Sequence, residues 1–504
     1  MQLEEFLQRQ NEFALGHLPT EGFHPDTRNL SDQVREDLAT AIATIQKIDI
    51  EAIEKTNTQS ARIEELSAAI QKTFKNKRRV YLSGCGATGR LALTLESTWR
   101  QAHENDDLED SVQALMAGGD FALVKSVENF EDFPAYGRRH LRDLGFHKGD
   151  LLIAITEGGE TPYVIGTVHE ALAIGGQHPW FVYCNPTDLL CKTVTRSREV
   201  IENPKVETLC IETGPMALSG STRLQAATAQ MLAVGAALWN DLTLITRLRD
   251  EYARLKLSLF LQPVVEWEST VYSENNFVMY QTESFPIAVL TDTTERSPTF
   301  SLTPFEKKDD FHPSHYSLCY LGIPSVPTSE EAWEAILNRF PVGLEWKELK
   351  GRLGYRSILD FDFSDHTLNA RARKLFPCEQ KALTLNKFEN RLEFSTEQFA
   401  SVLDSNLLEH PLLGQLLVKM ILNTHSLMVM GLLGRYEGNV MTWVRASNGK
   451  LIDRTVRYLD FLIEKRGLIN PGRSKLLEMI FAEMKHIGPN DAMVLKILAK
   501  LTSA

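Results

Sequence analysis

The sequence carries no excess of basic residues. Its formal charge is −12 over 504 residues, which excludes a broad nucleic-acid interface, because that needs a net-positive footprint. Any phosphate-bearing ligand would therefore have to be held locally. Cysteine is sparse, with six residues (Cys85, Cys184, Cys191, Cys210, Cys319, Cys378) and no CxxC spacing. Neither a disulfide framework nor a metal cluster is expected; reduced thiols and a cytoplasmic setting are. The N-terminus, MQLEEFLQRQNEF, lacks the apolar core of a signal peptide. No uninterrupted membrane span is present either: the most apolar segment, Leu416 to Leu433, is broken by Lys419, Asn423, His425 and Ser426, and it reads as a buried helix. No low-complexity linker divides the chain.

What is present is the balance of a folded protein, 43% hydrophobic and 24% charged. The length suggests two large domains with appendages. Residues 31 to 75 place Leu38, Ile42, Ile45, Ile48 and Ile53 at helical spacing, a helical lead-in. From Arg79 the period changes. VYLSGC, LLIAIT, WFVYCN and ETLCIE are short apolar runs separated by segments long enough to hold a helix, the pattern of a doubly wound, mostly parallel α/β sheet. A long helical stretch from Arg223 to about Phe260 closes this unit. The second half repeats the theme, with NFVMYQ, YSLCYLG, RSILDFDF and KALTLNKFE as strands and EEAWEAILNRF and NARARKLF as helices. The expected division is a lead-in over 1–75, a first sheet domain over 76–260, a second, degenerate one over 261–465 and a helical tail over 466–504.

Three loops of the first half carry the chemistry. The first strand runs into Ser83-Gly84-Cys85-Gly86-Ala87-Thr88-Gly89-Arg90 and then an apolar-periodic helix. Glycines let successive N–H groups converge, and a helix N-terminus adds partial positive charge, so an anion fits there. The GxGxxG spacing also matches a dinucleotide fingerprint, but the ribose-binding acid expected after a second strand is not evident. A tight turn without ligand accounts for this loop alone about as well. The second strand runs into Thr156-Glu157-Gly158-Gly159-Glu160-Thr161, and the third region, Gly214 to Arg223, sets Ser219, Ser221 and Thr222 before a long helix. Helix capping explains one of these hydroxyls, not three. Together the loops point to a small phosphorylated ligand in a neutral cradle of hydroxyls and amides, consistent with the acidic total charge.

At these residues a family resemblance emerges. GCGATGRLA, TPYVIG, the Cys184-Asn185-Pro186 turn and GPMALSGSTRLQAATAQ resemble the sugar-isomerase (SIS) domains of N-acetylmuramic acid 6-phosphate etherases and of glucokinase regulatory protein. TEGFHPDTRNL, AGGDFALVKSVENFED and the pair Gly438-Asn439-Val440-Met441 and Asn448-Gly449-Lys450-Leu451 resemble further family segments. The resemblance implies two tandem SIS domains. It also implies phosphate binding by Gly86, Ala87, Thr88, Gly89, Thr156, Gly158, Gly159, Thr161, Asn185, Ser219, Ser221 and Thr222.

Etherase chemistry, as the resemblance implies it, uses two carboxylates, one to take the acidic proton beside the sugar's aldehyde carbon and one to help the lactyl ether oxygen leave. One maps to Glu131. The other falls on Thr98, and Glu96 points to another side of the helix. The second half offers a replacement, since Asp292-Thr293-Thr294-Glu295-Arg296-Ser297-Pro298 resembles the segment around the missing glutamate. Lys419 similarly resembles a family lysine where the first half has Met231. A composite interdomain pocket follows, with Glu131 and Glu295 as its catalytic pair and Lys419 on the anion. The second half's own loop, Gln281 to Pro286, has no glycine. The expected activity is that of a sugar-phosphate lyase or isomerase without cofactor; the alternative is a non-catalytic sensor whose ligand controls a protein partner such as a sugar kinase. No nucleic-acid or membrane partner is expected.

Overall fold

The computed structural model describes residues 2–127, 130–310, 312, 315–488 and 491–502. The lead-in is helical, and its long helix α1 (Leu38–Asn57) buries Ile42, Ile45, Ile48 and Ile53, the stripe that helical spacing predicts. The first sheet follows. Strand β1 (Val80–Gly84) leads into helix α2 (Ala87–Ala102), then β2 (Val112–Met116), β3 (Leu151–Ile155), helix α3 (Pro162–Ile174), β4 (Trp180–Tyr183), β5 (Glu207–Cys210) and helix α4 (Gln225–Leu238). The strands are all parallel and lie in the order β2-β1-β3-β4-β5. Strand order reverses between β1 and β3, and in such sheets the ligand crevice opens at the carboxyl ends of the strands flanking that point.

Helix α5 (Leu257–Ser273) opens the second half and is followed by β6 (Phe277–Gln281), helix α6 (Pro286–Phe300), β7 (Cys319–Gly322), β8 (Gln380–Phe388), β9 (Arg391–Ser395), β10 (Ala400–Asp404) and helix α7 (Pro411–Leu432). The second sheet has the order β10-β9-β8-β6-β7. Its β7-β6-β8 part is parallel and repeats the β2-β1-β3 arrangement, while β9 and β10 extend it antiparallel. The chain is thus an α/β protein with two five-stranded, mostly parallel sheets flanked by helices. Helix α8 (Gly449–Lys465) and two further helices, Arg473–Glu483 and Met493–Thr502, form a helical C-terminus.

The halves meet through helices. α7 packs on α1, α2, α4, α5 and α6, and α6 packs on α2. Helix α7 is long and apolar enough to cross a membrane, but 94% of its apolar window is buried inside the protein, as its interrupting polar residues predict.

Two local expectations are corrected, and one strand is added. RSILDFDF is not a strand: it folds as a short helix, Tyr355–Leu359, and then an irregular segment. That segment satisfies its backbone singly, with Ile323 N–H donating to Phe363 O at 2.7 Å and Trp333 Nε1 to Phe361 O at 3.0 Å. The helical stretch from Arg223 to Phe260 is not continuous. It breaks at Asn240, in the left-handed region at φ 51°, and again before Leu257. Strand β2 went unread because VQALM follows an acidic turn and shows no alternation.

Candidate functional site

The first loop owes its shape to two glycines. A Cβ on Gly84 would sit 2.3 Å from the carbonyl carbon of Thr88, so only glycine lets β1 run this close beneath the first turn of α2. Gly86 precedes that helix at φ 56°, and the space where its Cβ would stand is open. The first-turn N–H groups of α2 lack intrahelical partners and leave a partial positive charge at this end.

This loop borders a cavity of about 870 Å³. Gly86 and Ala87 line it from the first loop, Gly158 and Thr161 from the second, and Ser221 and Thr222 from the third. Glu131 lies on the same wall, and Glu295 reaches it from α6 in the other half of the chain. The remaining expected residues are not on the wall. Thr88 Oγ1 closes its own loop, accepting from Cys85 N and donating to Cys85 O, both at 2.9 Å. Thr156 Oγ1 bonds Thr161 Oγ1 at 2.9 Å, which fixes the second loop. Asn185 fastens the lead-in to that loop, donating to Thr20 Oγ1 at 2.9 Å and to Gly158 O at 3.1 Å. Ser219 Oγ donates to Glu21 O at 3.3 Å. Gly89 packs on Met116, and Gly159 on Leu190 and Tyr183.

Lys419 is placed behind the cavity. It lines a separate void of about 20 Å³, shared with Arg90, Arg223 and Glu295. Its ammonium donates to Thr228 Oγ1 at 2.8 Å, to Arg223 O at 2.9 Å and to Asn423 Oδ1 at 2.9 Å. Burial pulls its pKa down to about 8, against the opposing charge of Glu295 and Asp49. Glu96 pairs with Arg100 and Arg339, and Thr98 Oγ1 is turned onto Thr94 O at 2.6 Å. Neither side chain lines the cavity.

The expectation of a cradle without cations is corrected. Arg90, Arg223, Lys450 and Arg454 all line the cavity, the last two delivered by α8. Glu21 holds them in place: Arg454 donates to it at 3.0 and 2.6 Å and Arg457 at 2.9 Å. Burial alone would push Glu21 up, but Arg454, Lys450 and Arg457 hold its pKa at about 2. Lys450 also reaches Glu160 at 3.2 Å. Arg454 lies on the third loop where Gly220 has no side chain; a Cβ there would be 2.9 Å from the guanidinium.

Among the described residues three cavity carboxylates lack such ion pairs. Glu131 is pushed up by burial, with Lys450 opposing, and meets the Cys85 thiol at 3.5 Å. Glu295 is pushed up by burial against Arg90, Arg223 and Lys419. Glu157, on the second loop, is pushed up to about 7 by burial, and among the described residues its Oε1 has no partner. Ser221 Oγ is likewise buried and unpartnered among them. Raised acids beside a ring of hydroxyls, amides and cations can hold an anion and exchange protons with what is attached to it. The sequence reading missed Glu157, although its loop was singled out, and missed Lys450 and Arg454, although the motif holding Lys450 was recognised.

Residues 62–172 match the family described as the glucokinase regulatory protein N-terminal SIS domain. The chain is 31% identical over 222 residues to an N-acetylmuramic acid 6-phosphate etherase of Vibrio atlanticus (strain LGP32), covering 44% of this chain and 66% of that protein, just under two thirds of the relative's length. It is 31% identical over 255 residues to the etherase of Mesorhizobium japonicum (strain LMG 29417 / CECT 9101 / MAFF 303099), covering 49% of this chain and 73% of that one. Among solved structures, the C-terminal domain of glucosamine-fructose-6-phosphate aminotransferase from Francisella tularensis aligns with a TM-score of 0.35 at 9% identity, over 77% of this chain and 96% of that one.

Proposed function

The chain belongs to the SIS-domain family of the N-acetylmuramic acid 6-phosphate etherases, and from that membership we propose that it binds a 6-phosphorylated sugar and acts on it by carboxylate acid–base chemistry. The observation that carries the proposal is the meeting of Glu131 and Glu295, one from each half, on the cavity that the three glycine and hydroxyl loops open. The loops, with Lys450 and Arg454, hold the phosphate. The two glutamates, both pushed up from their ordinary value by burial, handle protons at the sugar. A carboxyl group of raised pKa serves as an acid in one protonation state and as a base in the other. Elimination of a lactyl ether and aldose–ketose isomerisation begin with the same proton abstraction, so both remain within the proposal.

A second reading has its own support. Residues 62–172 match the regulatory protein's domain, and Thr98 stands where an etherase glutamate is expected. On that reading the cavity senses a sugar phosphate and controls a protein partner such as a sugar kinase. Incubation with N-acetylmuramic acid 6-phosphate and a panel of hexose 6-phosphates, following D-lactate release and sugar interconversion, separates the two. Turnover supports the enzyme, binding without turnover supports the sensor, and no binding refutes both.

A further inference from the structure

Among the described residues six arginines are less than a tenth exposed, and five of them (Arg100, Arg223, Arg296, Arg371 and Arg454) each hold a carboxylate within ion-pair distance. Arg90 holds none among them. It is 4% exposed and stands in the first turn of α2. Among the described residues its guanidinium makes only two bonds, from Nη2 to the carbonyls of Ala122 and Leu123, both at 3.3 Å. Nε is buried without a partner. Burying a guanidinium without a counter-charge is costly, and removing both its water and its partner is costlier still.

Glu295 has the complementary anomaly. It is 7% exposed, and among the described residues no hydrogen bond or ion pair is made by its carboxylate. It and Arg90 line the same cavity and the same small void beside it. Each lies in the other's electrostatic field yet outside ion-pair distance. The turn at 120–123 lies against both elements. Leu123 O accepts from Arg90 Nη2 and lies 2.9 Å from Thr294 Oγ1, the neighbour of Glu295. One carbonyl thus touches α2 at Arg90 and α6 beside Glu295, joining the two halves at this point.

We infer that Arg90 is a further catalytic residue: its guanidinium, facing Glu295 from the opposite half of the chain, receives the sugar's carbonyl oxygen as that oxygen gains negative charge. The inference rests on the proposed sugar-phosphate chemistry and narrows its substrate to an aldose or ketose phosphate in open-chain form. Glu295 takes the proton from the carbon next to the carbonyl. The C–H electron pair becomes the new C=C bond, and the carbonyl π pair moves onto oxygen, where Arg90 donates to it. Return of that proton from Glu295 to the former carbonyl carbon, while the hydroxyl proton of the deprotonated carbon passes to the oxygen held by Arg90, gives the isomer. In the elimination the oxygen pair re-forms the C=O bond, the C=C pair shifts to expel the β-substituent with its bonding electrons, and Glu131 protonates the departing oxygen; neither step requires an oxidant or reductant. A donor preorganised for an oxyanion acts in the transition state rather than in ground-state binding.

The test is calorimetric titration of two probes into the full chain: a hexitol 6-phosphate, which has no carbonyl, and a sugar-phosphate hydroxamate, which imitates the charged enediolate. The wild-type protein is expected to prefer the hydroxamate by about 10²–10³-fold, the usual effect of one oxyanion donor. Arg90→Gln should remove that preference and leave hexitol phosphate affinity within about threefold, and Arg90→Lys should restore part of it. Absence of the preference in the wild-type protein, or its survival in Arg90→Gln, overturns the inference, as does an equal loss for both probes. If the wild-type protein binds neither probe, the sugar-phosphate reading itself falls.

Discussion

Among the described residues five carboxylates line the cavity, and their neighbours divide them. Glu21 and Glu160 are neutralised by arginine and lysine, whereas Glu131, Glu157 and Glu295 remain raised by burial. The last two give separable predictions. Glu295→Gln keeps the shape and removes the proton acceptor, so turnover should fall about 10²–10⁴-fold with the melting temperature preserved; initial rates on the substrate panel measure it. Glu157 has a folded pKa of about 7 against 4.5 in the unfolded chain. The folded state therefore binds the extra proton between those values, and the contribution of Glu157 to stability is full below 4.5 and lost as pH rises through about 7. At about 1.4 kcal/mol per pH unit the effect is at most roughly 3.5 kcal/mol. Glu157→Gln should accordingly flatten the decline in denaturant midpoint over that interval; an unchanged decline would place Glu157 outside the titrating set. At this scale the sequence was legible where a motif carried the residue, as with Glu131 and Glu295. It was not legible where adjacent hydroxyls differ only in direction: Ser221 lines the cavity, while Ser219 is turned onto Glu21 O.

Secondary-structure elements succeed or fail in the sequence according to how they are buried. The strands of the first sheet's centre are apolar on both faces and stand out as runs. β9 and β10 bury alternate residues only and passed unnoticed, so the antiparallel extension of the second sheet did too. Nothing in the sequence marked helix α8 as a wall of the cavity, because its place depends on Glu21, far away in the lead-in. That clamp has a pH signature. Glu21 is held at about 2 in the folded protein against an ordinary 4.5, so its contribution is full above 4.5 and fades as pH falls toward 2. Glu21→Gln, which leaves Arg454 and Arg457 buried with weakened partners, should cost about 3–5 kcal/mol at neutral pH. Thermal melts of variant and wild type should converge as pH drops from 5 to 3. A gap that stays constant would mean the clamp is held by packing instead.

The whole molecule repeats one sheet-and-helix arrangement, and the proposed site uses one end of it. β7-β6-β8 and α6 repeat β2-β1-β3 and α2, and α4 and α7 pack against each other between the halves. The second half's own loop makes a poor anion cradle. It has no glycine, Phe285 is buried in it with its N–H donating to Thr282 Oγ1, and Pro286 begins α6 without an N–H. The second half brings Glu295 from α6 to the cavity, beside the carboxylates that the first half places there. The place of Glu295 was visible in the sequence as its motif, set against the threonine at 98. The order of cations around it was not, since Arg90 looked like any arginine after a glycine loop. The most direct test of the composite cavity is a crystal structure with a bound hexose 6-phosphate. The account predicts the phosphate against Gly86, Ala87, Ser221 and Thr222, with the sugar within hydrogen-bond distance of Glu295. A sugar phosphate bound with every contact drawn from the first half, and Glu295 untouched, would contradict it.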